Sequence, residues 1–172
     1  LETRAGVPGA VSLRAGVNHA AIRFDRGEKE EARVALRALI AACPDADILV
    51  NNAGAIPGGA IDAVDEERWR RAWDLKVFGY INMCREMYAQ MKSRGRGVII
   101  NVIGTGGERP TASYIAGGAG NAALMAFSRA MGAVSANDGI RVVAVNPGMI
   151  ETERLRTLAQ GMAGGVESPA WQ

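Results

Sequence analysis

The chain has 172 residues, of which 48% are hydrophobic and 22% are charged, and its net charge is +2. This size and composition predict one globular domain with a buried core. Acidic and basic residues are interspersed, so no nucleic-acid-binding surface is expected. No apolar run reaches the roughly 18 residues that a membrane helix needs, and the N-terminal residues lack a signal-peptide pattern.

Two isolated cysteines and a single histidine argue against metal and hydrolase chemistry. Cys43 and Cys84 lack the spacing of a disulfide framework or metal site. Both are therefore predicted to be reduced packing residues of a cytoplasmic protein. His19 has no partner cluster and is interpreted as structural, which argues against serine–histidine hydrolysis and zinc catalysis.

In chain order, the hydrophobic period alternates between that of a strand and that of a helix. Strands are predicted at 19–25, 46–54, 97–103 and 140–148, and helices at 28–43, 65–94 and 113–137. Apolar strands that alternate with helices predict an α/β fold, with a parallel sheet covered by helices on both faces.

Turn-forming residues cluster where these strands end. Ligands of such open sheets bind at the carboxyl ends of the strands. Those ends carry Asp25, "NNAG" (51–54), "IGTGG" (103–107) and "NPG" (146–148). The sequence therefore predicts a ligand site at this edge of the sheet.

Four motifs in this order resemble the short-chain dehydrogenase/reductase family. They are "NNAG" after a buried strand, "VIINVIG" on the next strand, the tyrosine that opens the helix in "SYIAGG", and "VNPG" followed by "ET". The resemblance runs from about Asp25 to Thr152 and implies a doubly wound, Rossmann-like parallel sheet that binds NAD or NADP. It also implies a homodimer or homotetramer that assembles through the helices at 65–94 and 113–137.

The resemblance implies a role for individual residues. Asp25 would hydrogen-bond the adenine, and Tyr114 would be the general acid/base for a ketone or secondary alcohol substrate. Thr152 would hold the nicotinamide carboxamide. The other implied cofactor-binding residues are small or polar and follow strands: Asn51, Ala53, Gly54, Pro147 and Gly148.

The chain departs from the family at the active site and at the N-terminus. The family's asparagine, serine, tyrosine and lysine correspond here to Lys76, Gly104, Tyr114 and Gly118. The family's G-x-x-x-G-x-G turn does not occur. Residues 1–172 are therefore expected to form a single Rossmann-like domain that lacks the first βα unit and the last strand, as part of a longer protein.

The missing lysine affects acid–base chemistry. A phenol ordinarily titrates near 10, so Tyr114 could donate a proton but would be a poor base without a nearby cation. Lys76 is predicted to supply that charge; the alternative is a helix lysine whose ammonium reaches solvent. Thr105 is a possible substitute for the serine, and Glu108 and Arg109 could bind a charged substrate.

Two functions stay open at this stage. The first is an NAD(P)-dependent oxidoreductase with an altered active site. The second is a non-catalytic relative that serves as a nucleotide-binding or assembly subunit.

Overall fold

A computed structural model describes residues 2–3, 11–12, 29–148 and 150. Two short strands, β1 (Glu2–Thr3) and β2 (Val11–Ser12), pair antiparallel. The elements that follow are α1 (Lys29–Ala41), β3 (Ile48–Asn51), α2 (Glu66–Trp73), α3 (Gly79–Arg94), β4 (Gly97–Val102), α4 (Ile115–Ser135) and β5 (Ile140–Val145). The predicted strand at 19–25, with His19 and Asp25, lies outside the described residues, as does Thr152.

Strands β3, β4 and β5 form a parallel sheet in that order. The register aligns Leu49 with Ile99 and Ile99 with Val142. Residues that are paired across neighbouring strands point to the same side of the sheet. The side chains of these three residues therefore share one face. The predicted α/β class, a parallel Rossmann-like sheet, is confirmed.

The main core lies between this face of the sheet and α3. It is built from buried residues of α1, α3 and the strands: Ile40, Leu49, Met83, Cys84, Met87, Met91, Ile99 and Ile140. On the opposite face of β3, Ile48 and Val50 are 62% and 55% exposed. Strand β3 is therefore apolar on both faces, which is the pattern from which the sequence predicts a parallel sheet covered by helices on both faces.

The helix predicted at 65–94 is interrupted by a π-helical turn at Asp74–Phe78. Asp65 caps its start by accepting a hydrogen bond from the Arg68 amide at 2.8 Å, and Gly95 ends it in the left-handed conformation at φ 65°. Within the π turn the Gly79 amide donates to the Asp74 carbonyl, five residues back. The turn therefore accommodates one more residue than an α-helical turn.

The π turn lies against α4. Val77 and Tyr80 pack with Ile103, Leu124 and Met125 in a second buried cluster. Trp73, the last residue of α2, donates its indole N–H to the Ala116 carbonyl of α4 at 3.0 Å. None of the helices within the described residues is long and apolar enough to cross a membrane.

Candidate active site at the carboxyl ends of the strands

The carboxyl ends of the three strands are held together by polar contacts. The hydroxyl of Tyr80 lies 3.1 Å from the Ala53 carbonyl and 2.8 Å from the Val102 carbonyl, which links the ends of β3 and β4. The Thr105 amide donates to the Pro147 carbonyl at 3.2 Å and links β4 to β5. The predicted cluster of turn residues is thus brought to one edge of the sheet.

Lys76 is buried at this edge of the sheet. Its residue exposure is 7%, so it is not the solvent-facing lysine of the alternative interpretation. The ammonium donates to the Ile103 carbonyl at 2.7 Å and to the side-chain carbonyl of Asn121 at 2.9 Å. Because burying a charge is costly unless it is hydrogen-bonded, these two acceptors stabilise the ammonium at the end of β4.

Tyr114 is the N-cap residue of α4 and is half-buried. Its aromatic ring lies directly over Gly117, where a Cβ atom would be only 2.0 Å from the ring Cζ. A Cβ on Gly106 would be 3.5 Å from the ring edge. The ring therefore occupies the space that a side chain at residue 117 would take.

Gly118, the position that the family resemblance assigns to the lysine, faces the loop after β4. A Cβ atom on Gly118 would lie 3.1 Å from the Gly106 carbonyl and 3.4 Å from Pro110. This face of α4 packs against the loop after β4, which leaves little space for a long side chain.

Asn121 is the site residue that the sequence reasoning missed. It is buried, accepts from Lys76, and approaches the Gly104 carbonyl with its amide nitrogen at 3.4 Å. The available signal was spacing: Asn121 follows Tyr114 by seven residues, about two helical turns. That spacing places it on the helix face of Tyr114 and Gly117.

The serine position is occupied by Gly104, whose φ of +115° favours glycine. Thr105 and Gly107 bound a short 3-10 turn that follows it. Further along this loop, the carboxylate of Glu108 accepts a hydrogen bond from Asn146 at 2.9 Å. Glu108 thus ties the loop after β4 to the loop after β5.

The predicted cofactor residues differ in how they are placed. Asn51 is buried, and its amide nitrogen donates to Asn101 at 2.8 Å and lies 3.4 Å from the Cys84 sulfur, so its side chain supports the strand end. Ala53, Gly54 and Pro147 are half-buried at the edge. Gly148 is exposed, with no atom within 4 Å of a Cβ placed on it.

The two cysteines are free and buried, as the sequence predicts. Burial raises the pKa of the Cys84 thiol from 9.0 to about 11. Two hydrogen bonds oppose this rise: the thiol donates to the side-chain oxygen of Asn101, and the Asn51 amide donates to the sulfur. The thiol is therefore protonated at neutral pH and is not a nucleophile. Within the described ranges, no group of three or more potential metal-ligating side chains occurs.

The raised pKa of Cys84 predicts a loss of stability in alkali. The unfolded thiol ionises near pH 9 while the folded thiol stays protonated, so its stabilising contribution is complete below pH 9 and is lost between pH 9 and about 11. A rise of this size corresponds to roughly 3 kcal/mol of stability. Urea unfolding from pH 8 to 11 should show a steeper decline for the wild type than for Cys84→Ala; parallel curves would contradict this assignment.

Comparison with known proteins matches this chain to one family. Residues 9–163 fit the sequence profile described as short chain dehydrogenase. The chain is 34% identical over 145 residues to the 2-keto-3-deoxy-L-fuconate dehydrogenase of Xanthomonas campestris, covering 80% of this chain and 46% of that protein. It is 31% identical over 160 residues to a 3-oxoacyl-(acyl-carrier-protein) reductase of Escherichia coli, covering 91% and 64%.

Solved structures give the same result. The gluconate 5-dehydrogenase from Burkholderia cenocepacia, in complex with NADP and tartrate, is 29% identical with a TM-score of 0.70, over 81% of this chain and 52% of that one. The chain therefore belongs to the short-chain dehydrogenase family, whose relatives here are named as dehydrogenases and reductases. It spans about half the length of the curated relatives that it matches.

Proposed function

We propose that the protein is an NAD(P)-dependent oxidoreductase of the short-chain dehydrogenase type, which interconverts a ketone and a secondary alcohol. Tyr114 is the proton donor and acceptor, and Lys76 supplies the positive charge that the family draws from a lysine on the tyrosine helix. The observation that carries this proposal is the buried, hydrogen-bonded ammonium of Lys76 at the carboxyl end of β4. A lysine with a purely surface role would have no reason to be buried there.

The residues at the strand ends suit a dinucleotide. Ala53 and Gly54 follow β3 and Gly148 follows β5, and their small side chains leave room for close approach of a ligand. These residues would hold the cofactor together with Pro147 and the main chain of Asn51, while Asp25 and Thr152 keep the roles that the family implies. When bound, the nicotinamide supplies the hydride or accepts it.

The chain's own contribution is proton transfer. In the reducing direction, the carbonyl oxygen takes the phenolic proton of Tyr114 as the carbonyl carbon gains the hydride, and solvent then returns a proton to the phenolate. In the oxidising direction, Tyr114 must first lose its proton. A fixed ammonium nearby favours the phenolate, which is the role we assign to Lys76.

The second candidate is a non-catalytic nucleotide-binding or assembly subunit. It is favoured by Gly104, which has no hydroxyl to orient a carbonyl at the serine position. Under either candidate, we infer a homodimer or homotetramer that assembles through the helices at 65–94 and 113–137, as the family resemblance implies.

Titration of the protein with NADH and with NADPH, followed by cofactor fluorescence, tests the proposal. Saturable binding together with turnover across a panel of ketones and secondary alcohols is the expected result, and the relative affinities decide between NAD and NADP. Binding without turnover would favour the non-catalytic subunit. Failure to bind either cofactor would reject both candidates as nucleotide-binding proteins.

A further inference from the structure

The lysine and the asparagine of the site have exchanged helices relative to the family. The family has its asparagine at the position of Lys76 and its lysine on the tyrosine helix. Here the lysine is on the π turn and the asparagine, Asn121, is on α4, and the two side chains are hydrogen-bonded at 2.9 Å. We propose that Lys76 and Asn121 are a reciprocally exchanged pair, in which Asn121 is the positioning residue for the Lys76 ammonium.

The contacts of Asn121 fit a positioning role. Its amide nitrogen lies 3.4 Å from the Gly104 carbonyl, and this contact turns its side-chain oxygen toward Lys76. Lys76 is thereby held between Asn121 of α4 and the Ile103 carbonyl at the end of β4. Two acceptors from different elements fix the position of the ammonium more narrowly than either could alone.

The start of α4 explains why the exchange involves Asn121 and not Gly118. The ring of Tyr114 lies over Gly117, one turn beyond its own position in the sequence. The next turn on that face places residue 121, and not residue 118, toward the strand ends. Gly106 lies between the two groups, since a Cβ on it would be 3.5 Å from both the Asn121 amide nitrogen and the Tyr114 ring.

The pair also accounts for the π turn. Lys76 is the central residue of that turn and is buried together with Val77, whereas the following Phe78 is 50% exposed. The extra residue of a π turn changes the direction of the side chains relative to a regular helix. It brings residue 76 against β4 while Trp73 keeps its bond to α4.

This inference rests on the proposed function for its catalytic consequence, but the positioning itself can be tested without turnover. The chain has three lysines, Lys29, Lys76 and Lys92, and the Lys92 side chain is 60% exposed. Trace acetylation followed by peptide mass spectrometry should modify Lys76 at least about tenfold more slowly than Lys92, because the buried amine is inaccessible. Asn121→Ala should reduce that difference at least threefold, with Lys92 as the internal control. An unchanged ratio would overturn the positioning role, whatever the protein's activity.

Activity measurements test the exchange. Lys76→Asn and Asn121→Lys, made singly, should each lower kcat/KM at least tenfold, because one removes the ammonium and the other places two ammonium groups together. The double variant has one amine and one amide again and should recover at least tenfold over the weaker single variant. A double variant no better than that single variant, with a melting temperature equal to the wild type, would reject the exchange.

The pH dependence of activity can be tested with a variant that changes the charge of residue 121 but keeps its shape. Asn121→Asp places a carboxylate beside the Lys76 ammonium and opposes its effect on Tyr114. The pH at half-maximal alcohol oxidation should therefore rise relative to the wild type. Loss of rate without a shift of that midpoint would indicate a merely structural role for Asn121 and contradict the proposal.

Discussion

Replacement of Tyr114 by phenylalanine is expected to lower kcat/KM for carbonyl reduction by about 10²- to 10⁴-fold, the contribution of a well-placed general acid. The aromatic ring is retained, so its packing over Gly117 and beside Gly106 should persist. The affinity for the nicotinamide cofactor should change by less than about threefold, because only a hydroxyl is removed at the N-terminus of α4. Steady-state kinetics and cofactor titration of the same preparation separate the two effects.

Tyr88→Phe is the matched control for this variant. It removes the same hydroxyl from α3, where that group donates to Asp138 at 2.7 Å. Asp138 lies just before β5, so this contact lies at the amino end of that strand and not at the carboxyl end. Its kcat/KM should equal that of the wild type. If Tyr114→Phe retains more than half of the wild-type activity while Tyr88→Phe behaves as expected, Tyr114 is not the acid.

Replacement of Gly139 by alanine is expected to be the most destabilising single change among the turns of the sheet. Gly139 has a φ of +71°, and a Cβ on it would lie 2.0 Å from the Gly95 carbonyl oxygen. The left-handed conformation costs an alanine about 1–2 kcal/mol, and the clash with main chain adds a further ~1–3 kcal/mol. The midpoint of thermal unfolding should fall by roughly 4–20 °C, taking 2–4 °C per kcal/mol.

Gly95→Ala separates the two contributions. Gly95 has a similar φ of +65°, yet nothing lies within 4 Å of a Cβ placed there. This variant should therefore show only the conformational cost, about 1–2 kcal/mol. Equal losses of unfolding free energy in Gly95→Ala and Gly139→Ala would show that the close contact between the two turns contributes nothing.

The elements of the sheet could be predicted from the sequence because each is specified locally. The apolar runs of β3, β4 and β5 end in Asn, Gly and Pro residues, and Asp65 and Gly95 bound the long helical segment. Parallel strands bring their carboxyl ends to one edge, so the strand-end cluster followed from the order of the elements alone.

The arrangement within the site could not be predicted in the same way. The π turn barely alters the hydrophobic period of a long helix, so Lys76 was compatible with both a buried and a solvent-facing side chain. The aromatic ring of Tyr114 lies over Gly117 because glycine leaves that space empty, and this depends on a rotamer. Asn121 was missed because the family spacing pointed to Gly118, whereas the contact with Lys76 is made one turn later.

The π turn also constrains how the length of this helical segment can vary. On one side of it, Trp73 bonds the Ala116 carbonyl; on the other, Tyr80 reaches the carbonyls at the ends of β3 and β4. Loss of one residue between them would rotate one part against the other by about 100°. Either the indole or the phenol would then miss its acceptor, so a single-codon deletion here is far more disruptive than one in a surface loop.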